Sequence, residues 1–298
     1  MMTKCYKVAE NRFAVTVENP EVWPDSPFSL MSNYEPFEER VSEDLLQCAF
    51  TLKLEFAAPV CYDEETRQDE ENQQIFCGHT AAGLPVFDFY LYHVSVGMLV
   101  CAADYSSARL LIPSSNSVSN IKFAINNALM VLYALATARF GTLLFHAAIV
   151  EYAGRGYLFL GKSGTGKSTH AQLWLKYNEG SELLNDDNPV VRFFEDRGAV
   201  VYGSPWSGKT PCYKDREVQV GGIVLLSQAP FNKIVRLQGV QAYAALVPSV
   251  SGKRWDRKIA DGLHETENAL ASHVPVWYME CLPDEDAARV CREAVTGA

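Results

Sequence analysis

From Tyr6 to about Ile112 the chain strings short apolar runs between polar turns: FAVTV, AFTLKLEF, VFDFYLYHVSVGMLVCAA and ARLLI. Phe50, Leu52, Leu54 and Phe56 alternate with Thr51, Lys53 and Glu55, the period-two pattern of a strand with one buried face. This predicts a mainly β N-terminal region. Residues 61–74, CYDEETRQDEENQQ, break the pattern. They carry five more acidic than basic residues and no apolar period, and read as a solvated loop or an exposed helical turn.

After the polar linker SSNSVSN, Ile121, Ile125, Leu129, Leu132 and Leu135 recur at three or four, which predicts a helix with a buried face ending at Gly141. The chain is expected to divide here, into a β-rich region over 1–118, a connecting helix over 119–140 and a second domain over 141–298. The second domain opens on TLLFHAAIVEYAGRGYLFLG, two apolar runs flanking Gly154-Arg155-Gly156. These read as a strand, a tight turn and an antiparallel strand. The helix KSTHAQLWLKYN follows, then a short strand before Asp186-Asp187 and two strands around a Glu-Asp-Arg-Gly turn. Strands VGGIVLLS and KIVRL, the helix KRWDRKIADGLHETENALASHV, the strand PVWYMEC and a last helix capped by Asp284 complete the chain. The expected class is α/β with a mixed sheet.

Composition changes this picture little. Of 298 residues, 48% are hydrophobic and 21% charged, enough to bury a real core. The net charge of -10 and pI near 5.1 argue against nucleic acid as a partner, since such surfaces neutralise phosphates with Lys and Arg. The N-terminus shows no apolar signal-like segment. The most apolar run, Ala128 to Ala138, is shorter than the roughly 20 residues that span a bilayer, so a cytoplasmic protein without a membrane partner is expected. Eight cysteines are scattered with no C-x-x-C pair, which suggests buried thiols rather than a zinc site or a disulfide scaffold.

The strongest chemical signal is Gly161-Lys162-Ser163-Gly164-Thr165-Gly166-Lys167-Ser168, which fits the phosphate-loop pattern G-x-x-x-x-G-K-[ST]. YLFL supplies the strand before it and HAQLWLKYN the helix after it. In such a loop glycines turn successive backbone N–H groups toward phosphates, the lysine adds a positive charge and the hydroxyl of Ser168 binds magnesium. A carboxylate at a neighbouring strand end is also required, and LLNDDNPVV places Asp186 and Asp187 there. The same residues also suit an Asx turn or cap made by Asn185, Asp186 or Asn188 before Pro189. His146 lies in the run LLFHAAIV, on the strand expected to precede the loop, either as a core histidine or in the site. Two segments stay open: residues 202–215, with Trp206, Lys209 and Lys214, and residues 251–262, with Lys253, Arg254, Arg257 and Lys258. The first reads as a surface loop or a ligand contact, the second as a solvated helix start or a charge-neutralising lid.

The stretch FHAAIVEYAGRGYLFLGKSGTGKSTHAQLWL, followed by LLNDDNPVV, resembles the catalytic domain of HPr kinase/phosphorylase and its relatives, which share a fold with ATP-dependent phosphoenolpyruvate carboxykinases. The resemblance covers roughly residues 140–295 and is sharp over about 141–192. It implies a mixed-sheet P-loop kinase domain that uses ATP and Mg2+. The nucleotide contacts would be Gly161, Lys162, Ser163, Gly164, Thr165, Gly166, Lys167, Ser168 and Thr169. Asp187 would accept the proton of an attacking hydroxyl, Asp186 with Ser168 would sit at the metal, and His146 would orient the aspartates; between Asp186 and Asp187 the roles are interchangeable. Lys167 would act on the transferred phosphate. Two carboxylates in contact would push one pKa up.

The departures narrow what transfers. Thr169 and His170 follow Ser168 where HPr kinases carry Glu, and their arginine-containing loop and C-terminal signature have no counterpart. Carboxykinase ligands are also missing. The expected function is phosphorylation of a hydroxyl on a protein serine or a small molecule, with an ATP-hydrolysing switch or a nucleotide-binding scaffold as alternatives. HPr kinases form rings, and a homo-oligomer is the corresponding expectation.

Overall fold

The computed structural model describes residues 1–23, 26–40, 47–70, 72–208 and 210–297. Its contacts divide the chain into two compact units, Met1–Ala136 and Thr137–Ala298.

The first unit is a nine-stranded sheet with one long helix. Its strands are β1 (Met2–Val8), β2 (Asn11–Val17), β3 (Glu38–Glu39), β4 (Phe50–Phe56), β5 (Asp63–Glu70), β6 (Gln73–His79), β7 (Pro85–Leu91), β8 (Val94–Cys101) and β9 (Ser107–Ile112). They lie in the order β3-β1-β2-β4-β9-β8-β7-β6-β5. β4 is parallel to both neighbours and the remaining pairs are antiparallel. The alternation in β4 does what its period requires, with Phe50, Leu52 and Leu54 buried. Phe50 stacks on Phe13, and both rings meet Tyr133 edge-on. Tyr133 belongs to α1 (Val118–Thr137) and donates its hydroxyl to Val8 O at 2.9 Å.

Residues 63–70 are not the loop or helical turn that their charge suggested. They form β5, an edge strand paired with β6 and exposed except for Thr66. The ladder supplies the order that apolar periodicity did not, and the charges keep an open edge solvated. The helix that begins at Val118 is also longer than its apolar run: continued through Phe140, it is long and apolar enough to cross a membrane by length and composition, and 67% of its most apolar 18-residue window is buried in the protein.

In the second unit the strands are β10 (Thr142–Leu144), β11 (Ala148–Tyr152), β12 (Arg155–Leu160), β13 (Glu182–Asn185), β14 (Val190–Phe194), β15 (Gly198–Tyr202), β16 (Glu217–Gln228), β17 (Lys233–Leu237) and β18 (Val276–Cys281). The order is β10-β14-β15-β16-β12-β11-β13, with β18 beside β16 and β17 beside β18. β16 runs parallel to β12 and β18, and the other pairs are antiparallel. As expected, β11 and β12 form a hairpin. Its turn is Ala153-Gly154, both with positive φ, which matches the twist of the flanking strands; Arg155 and Gly156 are already in the ladder.

Four helices accompany this sheet: α2 (Lys167–Tyr177), α3 (Val240–Leu246), α4 (Arg257–His273) and α5 (Glu285–Thr296). Asp284 caps α5 by accepting from Ala287 N at 2.8 Å. α3 was not visible in the sequence pattern; it is two turns long. Trp174 of α2 and Ala288 and Cys291 of α5 share a core with Phe159, Val224 and Met279 of the sheet. His170 lies in the same layer. It meets Phe159 edge-on at 4.7 Å and its Nε2 accepts from Trp174 Nε1 at 3.2 Å.

Burial pushes the His170 pKa down to about 4, against about 6.5 in an unfolded chain. Between those values the unfolded state binds a proton that the folded state does not, so stability is lost as pH falls through the window. The expected loss is on the order of 3 kcal/mol by pH 4. His170→Gln keeps an acceptor for Trp174 and removes the titration. Denaturant unfolding at neutral and acid pH should therefore show a larger acid loss for the wild type, and equal losses would refute the assignment.

Candidate functional site

β12 and β13 both lie beside β11 and antiparallel to it, with Ala148 opposite Phe159 and Ile149 opposite Asn185. Their C-terminal ends and the N-terminal end of β11 therefore share one edge of the sheet. β12 runs there into the glycine-rich loop and α2, β13 into Asp186-Asp187, and β11 is preceded by His146. The three parts singled out in the sequence converge by register alone.

His146 is not on a strand, as had been expected. β10 ends at Leu144, β11 starts at Ala148, and Phe145 makes an isolated bridge to Val250. The break has a physical reason. Phe145 N donates to Pro189 O at 3.0 Å and Ala147 N to Asp187 O at 2.8 Å, and His146 N, on the opposite side, to Ser249 O at 2.7 Å. But Pro189 has no N–H to return and Asp187 N is spent on Asn185 Oδ1, so the reciprocal bonds of a ladder are not made. The paired strands β10–β11 and β13–β14 are thus interrupted opposite one another, and the interruption brings the His146 Nε2 within 3.6 Å of Asp187 Oδ1.

In the loop, Gly161, Gly164 and Gly166 all have positive φ, which glycine adopts without steric cost. Lys162, Ser163 and Gly164 are exposed, as are Ser168 and Thr169 in the first turn of α2, and Thr165 is half-buried. The loop is tied by Thr165 N to Lys162 O at 3.1 Å and by Gln228 at the end of β16, whose Nε2 donates to Gly164 O at 3.2 Å. Lys167 is buried and its Nζ donates to Gly161 O at 3.0 Å. Burial pushes its pKa down, while the charges of Asp187 and, less strongly, Asp186 oppose that shift. The lysine and the aspartates therefore share one field.

The two aspartates differ in environment. Asp187 is 36% exposed in its side chain and His146 44%; Asp187 Oδ2 accepts from Asn188 Nδ2 at 2.8 Å. Asp186 is buried. Its Oδ2 accepts from Thr210 N at 3.2 Å, and its Oδ1 has no hydrogen-bond partner among the described residues. The Asx turn is also present: Asn185 Oδ1 accepts from Asp187 N at 2.9 Å. It is Asn185 that makes it, which leaves both acidic side chains for other work.

Within the 202–215 segment, Ser204, Trp206 and Thr210 contact this turn. Trp206 is buried, and its carbonyl accepts from Asn188 N at 3.2 Å. Lys214 Nζ donates to Leu183 O at 2.7 Å, so it braces β13; Lys209 lies outside the described residues. In the 251–262 segment, Arg254 is paired with the fully buried Glu267 at 2.5 Å and also donates to Val247 O. This commitment makes it a tie between α4 and the preceding turn rather than a lid. Lys253 is buried, and Arg257 and Lys258 begin α4 on its exposed face. Ser204, Thr210 and Gln228 were missed as site residues, because each acts through a contact far away in sequence; Asn185 is one of the turn formers read from the sequence.

No group of three or more His, Cys, Asp or Glu side chains forms a metal cage among the described residues. A partnerless buried carboxylate oxygen beside a phosphate-type loop suits Mg2+, which takes one or two carboxylates and completes its shell with waters and phosphate oxygens.

By fold and site this is a mixed α/β protein whose second unit gathers a glycine-rich strand-to-helix loop, a buried lysine and an aspartate pair on one sheet edge. A sequence model of the family described as SynChlorMet cassette protein ScmC matches residues 111–279, more than half of the chain, and the chain belongs to that family. No curated protein matches it. Among solved structures it is similar to the Hpr(Ser) kinase/phosphatase from Coxiella burnetii at 14% identity and a TM-score of 0.30, over 52% of this chain and 99% of that one. Likeness at that level carries no inference about chemistry.

The shared field gives a test that needs no ligand. Asp187→Asn removes the larger charge opposing the desolvation of Lys167 and should lower the lysine's pKa further. At a fixed mildly alkaline pH, an amine-specific reagent should then modify Lys167 faster than in the wild type, as read by peptide mass spectrometry. An unchanged or slower rate would mean that the two groups do not interact.

Proposed function

We propose that the second unit is a P-loop kinase domain of the HPr-kinase-like type, which transfers the γ-phosphate of ATP to a hydroxyl in the presence of Mg2+. The observation that carries this reading is the unequal aspartate pair. One carboxylate is buried with an unpartnered oxygen, and the other is partly exposed beside a histidine, both within the field of the loop lysine.

When bound, ATP supplies the phosphoryl group, and Mg2+ supplies charge that offsets its oxygens. The loop amides from Gly161 to Ser168 and the Lys167 ammonium would hold the β- and γ-phosphates. Asp186 Oδ1 and the Ser168 hydroxyl would be the protein's metal contacts. Asp187, open to solvent, is the carboxylate that an acceptor hydroxyl can reach, and it takes the proton as the acceptor oxygen bonds to phosphorus and the bond to ADP breaks. His146, 3.6 Å from Asp187 Oδ1, would orient that carboxylate. The environments thus support a division of roles that the sequence had left interchangeable. Thr169 is exposed at the same helix start, and the acceptor is a protein serine or a small molecule.

Incubation with γ-labelled ATP, Mg2+ and a cell extract or metabolite panel tests the reading. Label should pass to an acceptor, be lost in Lys167→Ala, and fall by about 10²–10⁴-fold in Asp187→Asn with ATP binding retained. Label released only as inorganic phosphate, or full transfer by Asp187→Asn, would overturn it.

A further inference from the structure

Ser204 is fully buried between β15 and the Asp186-Asp187 turn. A hydroxyl has one proton to give and two lone pairs to offer, and here all three are used. Ser204 Oγ accepts from Asn185 Nδ2 at 3.1 Å and from Trp206 N at 3.1 Å, and its one proton goes to Asn188 O at 2.5 Å, the shorter of two acceptors in reach, with Trp206 O at 3.2 Å. It therefore ties together both residues that flank the aspartate pair.

Asn185 passes this constraint on. Its Nδ2 also faces Trp206 O at 3.3 Å, a group that can only accept, and its Oδ1 faces Asp187 N, which can only donate. That leaves a single orientation for the amide, and the orientation sets the turn. The same segment then reaches each aspartate separately. Thr210 N holds Asp186 Oδ2, and Gly208 comes so close that a Cβ built on it would lie 3.2 Å from Asp187 Cβ. Ser204, Trp206, Gly208 and Thr210 are thus part of the site's frame.

We propose that Ser204 is a positioning residue for phosphotransfer: its hydroxyl, together with Trp206 O and Asp187 N, holds the Asn185 amide in place and so supports the aim of Asp186 and Asp187. This rests on the phosphotransfer reading above. The alternative is that Ser204 contributes to packing only, in which case its loss would change stability without changing turnover per folded molecule.

A misplacement of about 1 Å in a catalytic group costs on the order of 10²-fold in rate. Ser204→Ala is therefore expected to lower kcat by about 10–100-fold while KM for ATP stays within about twofold. Ser204→Thr, which keeps the hydroxyl, should recover most of the rate. Asn185→Ala should show a similar defect, and the double variant should be no worse than the poorer single one, because both act through one path. Asn185→Ala and Ser204→Thr keep the test alive if Ser204→Ala does not fold. Full kcat in Ser204→Ala, or losses that multiply in the double variant, would sink the proposal. Asp187→Asn in the same assay reports on the parent reading: an inactive Asp187→Asn beside a fully active Ser204→Ala overturns the positioning role alone. If the wild type transfers no phosphate, the Asp187 amide decides. Its hydrogen exchange should be at least about tenfold faster in Ser204→Ala, reflecting a turn that opens more readily; an unchanged rate would refute the role without any reaction.

Discussion

The candidate site depends on a break shared by two antiparallel ribbons. β10 and β11 would form one strand, and β13 and β14 another, if His146 and the Asp186–Pro189 turn did not interrupt them at the same level. Backbone hydrogen bonds on both sides of the break, Phe145 to Pro189 and Ala147 to Asp187, hold the interruptions opposite one another. Polar side chains enter an otherwise apolar sheet there because the ladder has stopped needing that stretch of backbone. A continuous β strand would send alternate residues to opposite faces, and His146 would not be held beside Asp187 by the ladder alone.

The electrostatics follow from that placement. Lys167 is desolvated, a cost to its ammonium that the two aspartates partly offset. The aspartates are in turn separated by the turn that carries them: the Asn185 amide leaves Asp186 pointing inward to Thr210 and Asp187 outward beside His146. One short turn thus produces two unlike carboxylates from adjacent identical residues. His170, three residues beyond Lys167, serves a different end. It is held neutral among Phe159 and Trp174 and anchors the helix that follows the loop.

Much of this was legible in the chain. The alternation over Phe50–Phe56, the hairpin into the loop and the Asp284 cap depend on neighbours within a few residues, and local pattern is enough to read them. Where the pattern failed, the decisive contact was distant. The charged run at 63–70 becomes a strand only because β6 lies beside it, and the strand stops at His146 because, across from it, Pro189 has no N–H to give and Asp187 N is already spent on Asn185 Oδ1. Arg254 looked like a free cation until Glu267, on the next helix, claimed it. Ser204 carried no signal at all, since a serine in a Gly-Ser-Pro loop is unremarkable until its hydroxyl is seen to be saturated.

The register that builds the site also determines where the chain can change length. One residue gained or lost between Leu144 and Ala148, or between Asn185 and Val190, would slide one interruption past the other and turn every following side chain to the opposite face. The Ala153-Gly154 turn is at the far end of its hairpin, away from that edge. Growth there lengthens the hairpin outward and leaves the pairing of Ile149 with Asn185 untouched. Insertions and deletions among relatives should therefore accumulate at that turn and be scarce at the break, a signature in segment lengths rather than in residue identities.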